Sequence, residues 1–179
     1  MSQKCLVISS SLNPDSKSRI MAKEAFSTVR KHGAAEFLDL AQYSLPMCDG
    51  DAVYSHPHVL KITAMIENAN AILLAVPVYN YAASASAKNL IELTGSAWSD
   101  KIVGFLCAAG GKSSYMSILG LANSLMLDFR CIINPRFVYA EGSSFNGDEI
   151  SDEKILTRIK ELVESTYKLT GQIISKAAA

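Results

Sequence analysis

Residues 71–92 read AILLAVPVYNYAASASAKNLIE, and the fold turns on them. The run AILLAV (71–76) is apolar without alternation and short enough for a strand. A strand of that kind is covered on both faces, which points to a parallel sheet with helices above and below it. A proline, two tyrosines and an asparagine follow, and then SASAKNLIELTG reads as a helix closed by Gly95. Polar aromatic groups at the end of a core strand are either a turn that happens to be aromatic or a seat for a flat polar ring.

Outward from this stretch, the strand-then-helix unit recurs. CLVISS (5–10) reads as a first strand, and the next helix has one face of Met21, Ala22, Ala25, Phe26 and Val29, with Gly33 as its stop. AEFLDL (35–40) is a second strand. A polar loop over 41–56 leads to Pro57, which opens a helix with Val59, Ile62 and Ile66 on one side. KIVGFLCAA (101–109) is a fourth strand, after which Ser113 and Ser114 are placed to cap a helix through Ile118, Leu119, Ala122 and Met126. CIINP and RFVYA (131–140) make an interrupted fifth strand. The last helix carries acids in its first turn and an apolar face at Ile155, Ile159, Leu162 and Val163. Five alternations predict an α/β three-layer sandwich around a five-stranded parallel sheet. One domain over 1–175 is the economical reading, with a frayed tail at 176–179.

Composition narrows the function. The 179 residues carry seventeen acidic and seventeen basic side chains, so no net field favours nucleic acid or an anionic membrane. The acidic docking face of a dedicated electron shuttle is also missing. No apolar run approaches the ~20 residues of a membrane span. MSQKCLVISSSL reads as the first strand rather than a secretion signal. Four cysteines, Cys5, Cys48, Cys107 and Cys131, form no C-x-x-C pair. Three fall in strand-like runs as buried reduced thiols, and a cytoplasmic location is the expectation.

An open parallel sheet binds ligands beyond the carboxyl ends of its strands. The loops that matter are therefore SSSLNPDSKSR (9–19), PVYNYAAS (77–84) and AAGGKSSY (108–115). The first is rich in hydroxyls, contains Lys17 and Arg19, and enters a helix, whose free N–H groups favour an anion. It has no glycine, so neither the dinucleotide fingerprint nor the Walker loop is present. Hydroxyls with one or two cations suit a phosphate monoester; the plainer alternative is a serine-rich turn that only caps a helix. A ligand with a phosphate at one end and a flat hydrogen-bonding ring at the other would span this loop and the Tyr79-Asn80-Tyr81 turn. Gly110 and Gly111 would let backbone come close to such a ring.

These three segments resemble those of the NAD(P)H-dependent FMN reductases, a flavodoxin-like family. SLNPDSKSR is similar to its S-L-R-x-x-S-x-x-R phosphate loop. PVYNYAASASAKNLIE is similar to its P-x-Y-N-x-S-x-P-G-x-L-K-N-x-I-D segment, with Pro77, Tyr79, Asn80, Lys88, Asn89 and Ile91 in register. AAGGKSS resembles its third loop. Asn13 stands where the family has Arg, Ser10 where it has Gly, and Ser84-Ala85 where it has Pro-Gly.

The resemblance implies strand order 2-1-3-4-5 and bound FMN, with NADPH or NADH as the hydride source. The acceptor would be a free flavin, a quinone, an azo dye or a metal oxyanion. It implies phosphate contacts from Ser9, Ser11, Asn13, Ser16, Ser18 and Arg19. Pro77, Val78, Tyr79, Asn80 and Tyr81 would meet the ring, and Gly110, Gly111, Lys112 and Ser113 its far edge. No acid–base side chain is implied, because position and electrostatics carry hydride transfer. A homodimer or homotetramer is implied as well.

Remaining features carry simpler readings. His56-Pro57-His58 lacks the acids of a metal site, and Asp49-Gly50-Asp51 is a turn. Cys48 has no basic neighbour in sequence. Trp98 and the Tyr115, Met116, Leu119, Met126 series read as packing residues. With no G-x-S-x-G and all three histidines early in the chain, a Ser-acid-His order is not available. The competing function is a non-enzymatic flavin-binding electron-transfer or interaction protein.

Overall fold

The computed structural model describes residues 3–177. Its strands are β1 (Lys4–Ser9), β2 (Ala34–Asp39), β3 (Ala71–Tyr79), β4 (Ala82–Ala83), β5 (Ile102–Ala109), β6 (Ile132–Ile133), β7 (Val138–Glu141), β8 (Phe145–Asn146) and β9 (Glu149–Ile150). Its α-helices are α1 (Lys17–Val29), α2 (Pro57–Glu67), α3 (Ala85–Thr94), α4 (Leu119–Phe129) and α5 (Glu153–Ala177). Residues 178–179 of the expected tail lie outside the described residues.

Side chains alternate across each long strand and so feed two cores. On β1, Leu6 and Ile8 join one core while Cys5 and Val7 join the other. On β3, Ile72, Leu74 and Val76 face the first and Leu73 and Ala75 the second. Helices α2, α3 and α4 cover the first face, and α1 and α5 the second. This is the three-layer sandwich. Gly104 on β5 has a packing reason: a Cβ there would lie 2.9 Å from both Leu162 Cδ1 and Leu73 Cδ2. Glycine lets α5 settle onto the sheet.

Strands β2-β1-β3-β5 are parallel in that order, with β6 and β7 next along β5. That is the anticipated order, but the sheet has seven strands rather than five. One extra strand arises because the fifth splits in two. Pro135 has no N–H to donate, and Asn134 turns its amide towards α5, donating to Thr166 Oγ1 at 3.0 Å and Ser165 Oγ at 3.2 Å. The other is β4, which folds back antiparallel on the end of β3.

Three further readings are corrected. Helix α1 ends at Val29, and Gly33 lacks the positive φ of a helix stop. Its place is instead a close approach, where a Cβ would sit 3.2 Å from Tyr167 Cε1. Helix α4 starts at Leu119 without a side-chain cap, and Lys112–Ser114 forms a separate 3₁₀ turn. Its buried stripe is Ile118, Leu121, Ala122 and Leu125, whereas Tyr115, Met116, Leu119 and Met126 are surface residues. Asn123, Ser124 and Asp128 mark the outer side of this helix, but its apolar arc is wider than the contact and Leu119 and Met126 fall at the arc's edge.

Trp98 is wholly buried and donates from Nε1 to Thr94 Oγ1 at 2.7 Å. Burial pushes the Cys5 and Cys107 thiols up to about 12 and Cys131 up to about 11, so these three are inert packing groups.

Candidate functional site

Because β1, β3 and β5 are neighbours, the loops leaving their carboxyl ends meet. They enclose an open cleft of about 640 Å³, with Gly142, just after β7, on its far side.

The first loop is built from its own side chains. Ser10 ties it to β3, with its N–H and its hydroxyl both donating to Ala75 O at 3.0 and 2.8 Å. Ser11 Oγ accepts from Asn13 N, and Asn13 Oδ1 accepts from Asp15 N. Ser16 caps α1 by accepting from Arg19 N at 3.2 Å, and its hydroxyl lies 2.9 Å from that of Ser18. Helix geometry leaves the N–H groups of Lys17 and Ser18 without an intrahelical acceptor. Ser11, Asn13, Ser16 and Ser18 line the cleft, with Asp15 and Lys17. Ser9 does not; its hydroxyl is buried without a partner.

Arg19 is also away from the lining. Its Nη1 donates to Asn13 O and Pro14 O at 2.8 and 2.9 Å, and Nη2 to Ser11 O at 3.1 Å. Its Nε lies 2.8 Å from Asp39 Oδ2 as an ion pair, without the alignment of a hydrogen bond. The guanidinium therefore holds the loop's backbone in shape.

The second loop is a hairpin. Tyr79 pairs with Ala82, leaving a two-residue turn at Asn80 and Tyr81 with φ of 49° and 59°. Two positive φ values define the turn that suits the twist of a hairpin, normally Asn-Gly. Asn80 adopts this region readily, but a tyrosine there is strained. Pro77, Val78, Tyr79 and Asn80 line the cleft, and Tyr81 projects beyond it. Ser86 joins this segment to the first loop, donating to Ser10 O at 2.6 Å. Asn89 spends its amide elsewhere: it donates to Pro46 O and accepts from Cys48 N, both at 2.9 Å, and so pins the long loop to α3.

From the third loop, Gly110 lines the cleft with Ala108 and Ala109, whereas Gly111, Lys112 and Ser113 do not. A Cβ at Gly110 or Gly111 would meet nothing within 4 Å, and neither residue has a positive φ. Neither backbone nor packing requires glycine there; what they provide is open space. Tyr139 from β7 tethers this loop, its hydroxyl bonding Gly111 O and lying 2.9 Å from Ser114 Oγ.

Among the cleft-lining residues, Asp15 is the carboxylate and Lys17 the amine, with no histidine or cysteine. His56 has another task, its Nδ1 accepting from His58 N to cap α2. The sequence reading missed Asp15, Ala108, Ala109 and Gly142 as lining residues, and Ser10, Ser86 and Tyr139 as braces. The first braces lie inside the quoted motifs, where a signal existed. Nothing local marks Tyr139 or Gly142, which reach the site only through strand order.

The three loops agree with comparisons against known proteins. A profile of the family described as NADPH-dependent FMN reductase matches residues 3–143, which contain every cleft-lining residue. An Arabidopsis thaliana protein named NADPH:quinone oxidoreductase is 26% identical over 152 residues, covering 76% of each chain. Among solved structures, FerB of Paracoccus denitrificans, a flavoenzyme NAD(P)H:(acceptor) oxidoreductase, superposes with a TM-score of 0.78 at 20% identity. That match covers 95% of this chain and 98% of FerB. RosB, solved with 8-demethyl-8-formylriboflavin-5′-phosphate, gives a TM-score of 0.80 at 14% identity, over 97% of this chain and 81% of its own. These superpositions carry the fold.

Proposed function

This chain belongs to the NADPH-dependent FMN reductase family, and from that premise we propose that the cleft over β1, β3 and β5 holds FMN and that the reduced flavin serves a small flat acceptor such as a quinone. The observation that carries the assignment is the convergence of the three loops on one cleft, hydroxyls and free helix N–H groups at one end and Pro77–Asn80 with Gly110 at the other. The residues fit the group. Ser11, Ser16 and Ser18 supply donors for a phosphate. The backbone around Val78 to Asn80 supplies edge hydrogen bonds for the ring, and the open space before Gly110 and Gly111 admits its far side.

Held there, FMN would supply a site for hydride from NADPH or NADH and for its onward transfer as reducing equivalents. The chain's own part is placement. Pro77 and Val78 fix the position of the seat, because they continue a strand whose preceding residues are fully buried. Tyr79 is half exposed beside it and bounds the opening. With no histidine or cysteine in the lining, the protein's contribution is orientation and a fixed electrostatic environment. The name of the Arabidopsis relative supports a quinone as acceptor.

Titration of FMN and riboflavin into flavin-stripped protein, followed by flavin fluorescence, tests the cofactor site. Preferential binding of FMN supports it, and binding of neither removes it. NADPH and NADH oxidation with a benzoquinone and with a ferric acceptor then tests the acceptor; turnover with the ferric acceptor alone would remove the quinone. A dimer or tetramer through the exposed face of Tyr115, Met116, Leu119 and Met126 is part of the same reading, since clustered apolar surface favours association. Light scattering at micromolar concentration decides it, and a monomeric mass rejects it.

A further inference from the structure

We infer that Lys17 is the residue that distinguishes a phosphorylated flavin from an unphosphorylated one, taking over the role that an arginine at position 13 has in the family pattern. The inference rests on the flavin reading above. It chooses between the two cations, Lys17 and Arg19, that the sequence places in the phosphate loop.

Elimination comes first. The position of the family arginine is Asn13, which is neutral, and its Oδ1 is committed to Asp15 N at 3.0 Å. Arg19 is the next cation, and its guanidinium is already engaged with three carbonyls and Asp39. Releasing it towards a ligand would strip partners from the loop that forms the seat. Lys112 has its Nζ 3.9 Å from Glu141 Oε1 and is not part of the lining. Lys17 remains as the cation that lines the cleft.

Its present contacts are easily exchanged. Nζ donates to Gly142 O at 3.3 Å, a long bond to a neutral carbonyl, and lies 5.4 Å from the centroid of the Phe145 ring. Both contacts are exposed or half exposed, and an ammonium has three rotatable donors. A phosphate dianion is a far stronger acceptor than a peptide carbonyl. The side chain already crosses from α1 to the turn after β7, so it spans the end of the cleft where the serine hydroxyls lie.

The placement is also costly without an anion. Lys17 is the first residue of α1, where the helix dipole is positive, and no acid stands in that first turn. Asp15, just before the cap, is the carboxylate that lines the same mouth. Among the described residues it forms no ion pair with Lys17, and its repulsion of a phosphate would be felt most with Lys17 removed. Lysine here should therefore lower the stability of the flavin-free protein while raising affinity for a phosphate-bearing ligand. A residue kept for packing has no reason to produce that opposition.

The test compares wild type, Lys17→Met, Lys17→Arg and Asp15→Asn, titrated with FMN and with riboflavin, together with thermal melts of the flavin-free proteins. Loss of one charge-assisted hydrogen bond at an exposed site corresponds to roughly tenfold in affinity. Lys17→Met is expected to weaken FMN by about that factor, leave riboflavin unchanged and not lower the melting temperature. Lys17→Arg should recover most of the FMN affinity, and Asp15→Asn should tighten FMN alone. Equal loss for FMN and riboflavin in Lys17→Met, or full retention of FMN preference, overturns the assignment of Lys17 while leaving the flavin reading standing. A wild-type protein that binds neither ligand removes the flavin reading and this inference together.

Discussion

The loop after β1 and the loop after β5 border the same cleft and are held in opposite ways. In the first, an arginine fork binds three carbonyls, two serines bond each other, and Ser86 clamps Ser10 from the neighbouring segment. In the second, a Cβ on Gly110 or Gly111 would meet open space, and the loop is held by the Tyr139 hydroxyl and a long Lys112–Glu141 ion pair. A braced loop loses little freedom when it binds, so its donors are ready for a small, strongly charged group. A loosely tethered glycine loop loses more on binding but adjusts to ring systems of differing outline. On the flavin reading proposed above, the braced loop would meet the phosphate and the open glycine loop the ring.

The severest way to break this contrast is Arg19→Ala. It strips three carbonyls of their donors and leaves Asp39, about one-tenth exposed, without its cation. A loss of about 3 kcal/mol of stability is expected in urea titration, with FMN and riboflavin weakened alike; a loss below 1 kcal/mol would show that the loop does not depend on its brace. Ser86→Ala removes the clamp between two loops and should cost about 1 kcal/mol, again without discriminating between the flavins. Tyr139→Phe should cost at most about 1 kcal/mol. Its clearer signature is faster amide exchange confined to residues 111–114, and unchanged exchange would mean that the tether is not what orders that loop. The mildest change in the free protein is Gly110→Ala. Its Cβ meets nothing, so stability should stay within about 0.5 kcal/mol, while FMN affinity falls if the ring comes close. Unaltered FMN affinity would place the ring elsewhere.

The sheet was legible because strands buried on both faces leave unbroken apolar runs, AILLAV and KIVGFLCAA, that few other arrangements tolerate. The cleft was legible to the same extent, since strand order alone carries Ser11, Ser16, Pro77, Asn80 and Gly110 to one edge. What spacing does not encode is the alternative open to a long side chain. Arg19 has carbonyls of its own loop within reach and takes them, whereas Lys17, two residues earlier, crosses to Gly142. The inner face of α4 was misplaced for a different reason, because its apolar arc extends past the buried contact to Leu119 and Met126. The β8–β9 hairpin turns on Gly147-Asp148, with a positive φ at Gly147, but its two-residue strands are too short to register as a pattern.

Helix α5 has one more consequence, in the order of synthesis. It follows every strand of the main sheet in the chain and packs against β5 and β7, with Leu162 seated over Gly104. While the polypeptide is being made, all three cleft loops therefore leave the ribosome before part of their sheet has a cover, and the nascent chain carries a bare apolar wall. Such a wall is a site for chaperone capture or for aggregation. A ribosome paused before residue 153 would hold the protein at its most adhesive stage, and a prosthetic group would find its seat fully supported only after the last helix had docked.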